Sequence, residues 1–163
     1  MNYHSLGQYF YKLYAILFIV MLVPILFFIL LYQALRVKMV TTPGHLFPAD
    51  YTSLVAGIAV CVVWGVAFMV FYNRLKAIRK VVSLGERLSR YANLTIVRSV
   101  LFSLGLLMLT VGYFFSENPW LTIAFMTSLF IPAFFWPVPA RVCRHLKLKA
   151  DERMMVYYKM DDL

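Results

Sequence analysis

The chain has 163 residues, of which 63% are hydrophobic and 14% charged, and carries a formal net charge of +9. Its mean hydropathy is +0.77. A soluble domain of this length cannot hide so much apolar surface, so composition excludes an ordinary soluble globule and predicts a membrane protein. The positive balance is read as topology and attraction to anionic phospholipid, and no nucleic acid partner is expected.

Four apolar runs, at about 13–35, 51–72, 97–115 and 120–138, are each close to the roughly 20 residues that cross a bilayer core. They predict an all-α membrane protein of one domain, 1–163, with four transmembrane helices as two antiparallel hairpins. A basic connection, 73–96, joins the hairpins, and a tail, 139–163, follows them. Of 16 Lys and Arg, only Arg36 and Lys38 fall between the first two runs. The positive-inside rule therefore places both termini and the connection in the cytoplasm, as in a bacterial inner membrane protein.

In chain order, Ser5-Leu6-Gly7-Gln8 has the form of a capping box, so the first helix should begin near Leu6. Tyr9, Phe10, Tyr11 and Tyr14 would then lie at the cytoplasmic interface and anchor depth rather than form an aromatic cage. Pro24 falls within the span and is expected to kink it. The outer loop carries a turn signal, Thr41-Thr42-Pro43-Gly44, and His45, which without a second histidine or carboxylates reads as a solvated loop residue.

In the second run Ser53, Gly57, Cys61 and Gly65 recur every four residues and so share one helix face. Small residues let another backbone approach closely in lipid, so this face is expected to be the main packing seam, inside the bundle or against a partner subunit. Beyond Tyr72 the helix should continue into the headgroup region, where Arg74, Lys76, Arg79 and Lys80 are expected to meet anionic lipid together with Arg87 and Arg90. Ser83-Leu84-Gly85-Glu86 repeats the capping-box form and restarts a helix. Each half thus opens with Ser-Leu-Gly, which raises internal duplication, a pattern four-span proteins also show by chance.

The third run offers Ser99, Ser103, Gly105 and Gly112 as packing residues. Asn118-Pro119 reads as the N-cap and first residue of the next helix, and the tight connection makes the third and fourth spans antiparallel neighbours. Pro132, Pro137 and Pro139 should break the fourth span near the cytoplasmic interface. After Pro139 the spacing of Val142, Leu146, Ala150 and Met154 predicts one amphipathic helix on the membrane surface, with Arg141, Arg144 and Lys147 also meeting lipid headgroups.

Signs of chemistry are few. All seven acidic residues lie outside the apolar runs, the three histidines sit at their edges, and Cys61 and Cys143 form no CxxC pair. Buried-carboxylate proton coupling, bis-histidine haem ligation and disulfide exchange are therefore not expected, nor is any other cofactor or metal. The reading favoured is a non-catalytic accessory or structural subunit packed against other membrane-protein subunits. The alternative is a small oligomeric transporter, flippase or channel whose pathway uses the neutral groups Gln33, Thr110, Thr127 and Ser128.

A reporter inserted near Gly85 or fused after Leu163 should read cytoplasmic, and one near Gly44 exterior. A cytoplasmic signal at Gly44 would overturn the topology.

Overall fold

The structure, a computed structural model, describes residues 5–40 and 48–158. The Thr41–Gly44 turn, His45 and the chain beyond residue 158 lie outside the described residues. All regular structure among them is helical: α1 (Leu6–Arg36), α2 (Ala49–Ile78), α3 (Leu84–Ser116), α4 (Pro119–Ser128), α5 (Phe130–Phe134), α6 (Pro139–Leu146) and α7 (Ala150–Tyr158). Three of these, α1, α2 and α3, are long and apolar enough to cross a membrane, and α4–α5 with α6 form a further apolar pair bent by 69°.

The ends of the long helices follow local chemistry. Ser5 Oγ accepts the amide of Gln8 at 3.2 Å and opens α1, which then runs through Pro24 as one element. Asn118 accepts the amide of Trp120 at 3.1 Å, with Pro119 at the first position of α4. The second capping box is only half realised. Ser83 stands at the N-cap of α3, but its side chain makes no capping bond.

The fold is organised around α3, along which α1, α2 and α4 all pack. Tyr9 donates to the Leu88 carbonyl, and Ser103 donates to that of Val20. Farther along, Phe28 meets Tyr113 at 5.7 Å between ring centroids. Contacts therefore climb α1 and α3 together. Along α2 they descend, from Phe71 beside Tyr91 through Trp64 beside Phe102 to Ser53 beside Asn118. Since α1 and α2 each lie on α3 rather than chiefly on one another, two self-contained hairpins are not the packing unit.

Two apolar cores result. One, at the end near Leu6, gathers Tyr9, Phe10, Leu13, Phe71, Leu75, Leu88, Tyr91, Val142 and Val156. The other lies midway and beyond, with Phe28, Val60, Leu106, Leu121 and Phe125. Phe28 and Phe125 stack at 4.1 Å between centroids, which joins α1 to α4 directly.

The small-residue face of α2 is not the internal seam. Cβ atoms built on Gly57 and Gly65 meet, among the described residues, nothing beyond their own helix turn within 4 Å. Cys61 is exposed, and Ser53 accepts from Asn118 Nδ2 at the N-cap of α4. The reason is volume. On the neighbouring stripe α2 presents Ala56, Val60, Trp64, Ala67 and Phe71, and seating these side chains against α3 gains more van der Waals contact than seating glycines. The holes that receive them belong to α3, where a Cβ at Gly105 would run into the Trp64 indole and one at Gly112 would stand 2.8 Å from Ala56 Cβ. Ser99 and Ser103, the other small residues of α3, are buried on its side toward α1, where Ser103 bonds the Val20 carbonyl.

The single amphipathic helix expected after Pro139 is likewise two helices. Lys147 adopts a left-handed backbone, φ 54° and ψ 43°, and closes α6. Leu148 N–H then reaches back to the Cys143 carbonyl at 3.1 Å. Val142 and Leu146 are buried as expected, but after the turn Val156 is buried at 0% exposure while Met154 is 55% exposed. An ion pair between Arg87 and Glu152 ties α7 to the start of α3.

Gly112→Leu would drive a side chain into Ala56 and Leu121, and is expected to lower the stability of the isolated chain by about 1–3 kcal/mol. Gly57→Leu should leave its melting temperature unchanged. Equal losses in thermal denaturation in the same detergent would place the α2–α3 seam elsewhere.

Candidate lipid-facing site and the arginine cluster beside it

The fourth apolar run breaks where its prolines dictate. Pro132 has no N–H to give the Ser128 carbonyl, and regular helix lapses at Leu129 between α4 and α5. After Phe134 the chain turns through Phe135–Val138 to Pro139, leaving four successive carbonyls without helical donors. The Val138 amide turns back to Trp136 O at 2.9 Å, and side chains supply the other bonds. Arg98 Nη2 donates to Phe135 O at 2.8 Å. Arg141 Nη1 donates to Phe134 O and, at 2.9 Å, to Trp136 O, while Tyr14 Oη donates to Pro137 O at 3.2 Å.

Arg98 is only 3% exposed. Its guanidinium carbon lies 4.2 Å from the Phe71 ring centroid and 5.6 Å from that of Phe135, so aromatic faces and a carbonyl surround the charge. The Nε of Arg98 has no hydrogen-bond partner. Beside it, Tyr91 Oη and His145 Nδ1 share a hydrogen bond of 2.9 Å, and Arg79 Nε donates to the His145 carbonyl at 2.7 Å. Burial pushes the His145 imidazole down to about 4, helped by the positive charges of Arg98, Arg141, Arg79 and Arg144. The imidazole is thus held neutral in a positive field.

The nine basic residues expected at lipid headgroups divide accordingly. Arg87 is paired with Glu152, Arg79 is bonded to the His145 carbonyl, and Arg141 clasps the broken span. Arg74, Lys76, Lys80, Arg90, Arg144 and Lys147 are exposed. Two of these come together: Arg74 from α2 and Arg90 from α3 line one groove of about 760 Å³ with Asn73, Asn93, Val70, Ala77, Ile78, Leu94 and Val97. Arg90 also pairs with Glu86 one turn earlier, at 2.6 Å. Sequence reasoning assigned no role to Asn73, Asn93 or Arg98. The available signal for Arg98 was its register, because Leu88, Tyr91, Thr95, Arg98 and Phe102 recur at helical spacing along one buried face.

The neutral groups weighed for a transport path are not gathered. Thr110 is buried and bonds its own Leu106 carbonyl, Thr127 is exposed and bonds the Ile123 carbonyl, and Gln33 is exposed on α1. Compared with protein-family models, curated proteins and solved structures, the chain matches none.

The neutral state of His145 makes a prediction about acid. An imidazole in the unfolded chain titrates near 6.5 and the folded one near 4, so the unfolded state binds more protons between those values. The contribution is complete above about 6.5 and is lost as pH falls toward 4. His145→Gln should flatten that part of the profile of melting temperature against pH. A variant profile parallel to the parent's would show that His145 does not titrate in this window.

Proposed function

We propose that the chain is a non-catalytic integral-membrane accessory subunit that packs against helices of a larger membrane complex, in a bacterial cytoplasmic membrane. In this reading α4 and α5 complete a fourth span and α6 turns away along the surface. The starts of α1 and α3 and the ends of α2 and the fourth span then share one side. The bias of Lys and Arg makes that side cytoplasmic, with both termini inside. Exposed basic residues there meet anionic phospholipid.

The observation that carries the subunit reading is the unused small-residue face of α2. Gly57, Cys61 and Gly65 stand at four-residue spacing with open space before both glycines, while the bundle closes its own seam with Gly105 and Gly112 on α3. In lipid such a face gains contact only when another helix comes close, because hydrocarbon chains solvate bulky side chains as well as small ones. Leu54, Ile58, Val62 and Met69 flank it as exposed apolar groups. A partner helix fits against this combination.

Native purification followed by mass spectrometry is the direct test. Stoichiometric partner proteins are expected with the parent, and Gly57→Leu should insert and melt like the parent yet lose them. A clean homo-oligomer that Gly57→Leu leaves intact would favour the small transporter or channel. Partners retained by Gly57→Leu would turn this face toward lipid.

A further inference from the structure

We propose that the groove between α2 and α3 binds one anionic phospholipid, with its phosphodiester between Arg74 and Arg90 and an acyl chain laid over Val70 and Val97. This deepens the lipid contact proposed above and rests on the same membrane placement. It is independent of the partner-subunit reading.

The groove is graded along its length. Because α2 and α3 run in opposite directions, Val70 and Val97 lie toward the middle of their helices, while Ala77, Ile78 and Arg90 lie toward the connection between them. From Val70 to Ala77 a helix rises by roughly 10 Å. That is about the depth over which a bilayer passes from hydrocarbon into headgroups. Ile78 and Leu94 are buried and provide an apolar floor. The exposed amides of Asn73 and Asn93 stand between the two ends, able to donate to phosphate oxygens and to accept from headgroup hydroxyls.

Charge fits one such lipid. Of the two lining arginines, Arg90 is shared with Glu86 at 2.6 Å, so the local balance is one positive charge, the complement of a single phosphodiester. A guanidinium recognises phosphate with two parallel N–H bonds, which a lysine ammonium cannot do. Lys76 and Lys80 are exposed nearby but are not among the groove's lining residues. A free inorganic phosphate would leave the Val70–Val97 half of the groove unused.

The experiment compares lipid retention by native mass spectrometry after adding phosphatidylglycerol to detergent-solubilised protein. Each basic residue near a membrane surface contributes about a fivefold factor, so Arg74→Gln with Arg90→Gln should weaken retention of the first lipid about thirtyfold. Lys76→Gln with Lys80→Gln, which removes the same charge, should leave that lipid in place. Ala77→Trp fills the groove without changing charge and should also expel it. Equal loss in both double variants would overturn the site while leaving diffuse attraction to anionic lipid standing. No loss in either would overturn both. Displacement of the lipid by millimolar inorganic phosphate would reassign the groove to a free anion and overturn the lipid proposal. Should the arginine pair prove necessary for folding, Ala77→Trp decides alone, and an unchanged lipid count in that variant overturns the site.

Discussion

The rest of the structure depends on the satisfaction of four carbonyls, Phe134 to Pro137, freed where the fourth apolar run breaks. A backbone acceptor in apolar surroundings has little water to bond, and leaving one unsatisfied there costs several kcal/mol. Prolines make the break unavoidable, and apart from the Val138 amide, which bonds Trp136 O, the donors are side chains of helices. They come from Tyr14 on α1, Arg98 on α3 and Arg141 on α6. Two helices distant in sequence, α1 and α3, are thus pinned to one turn together with α6, which follows it directly.

That requirement explains why a cation is buried in so apolar a protein. Arg98 carries five donors in a rigid fork, reaches the carbonyl from a neighbouring helix and stacks its plane near Phe71 and Phe135. Its charge has a cost, which falls partly on His145, held neutral among four arginines. The same positive end of the bundle faces outward through Arg74 and Arg90. Structural and surface roles of the basic residues are therefore two outcomes of one crowding of charge, separated by which way each helix position points.

Packing follows a similar division of labour. The central helix α3 provides small residues, and the helices around it provide bulk, so Trp64 and Ala56 seat against Gly105 and Gly112. In the membrane placement proposed, lipid chains are as apolar as leucine, so the close fit itself, rather than exclusion of water, favours this arrangement. On α2 the bulky stripe stands one position before the small one, Ala56 before Gly57, Val60 before Cys61 and Trp64 before Gly65, so the two lie about 100° apart around the helix. Once the bulky face is committed to α3, the glycines must look outward.

What the amino-acid order determined by itself is whatever depends on neighbours in sequence. The apolar runs and their lengths, the caps at Ser5 and Asn118, the break at Pro132 and the small face of α3 were all legible, because helix formation, capping and proline's missing N–H act within a few residues. Tertiary structure decided which face of α2 turns inward, since both the glycine ladder and the Val60–Phe71 face are regular helical stripes and only the partner helix distinguishes them. It also decided that Lys147 closes α6, where one uninterrupted stripe had been legible. Above all it decided the fate of each arginine. In sequence Arg74 and Arg87 are alike, and the difference between a groove wall and an ion pair with Glu152 arises from what stands opposite in space.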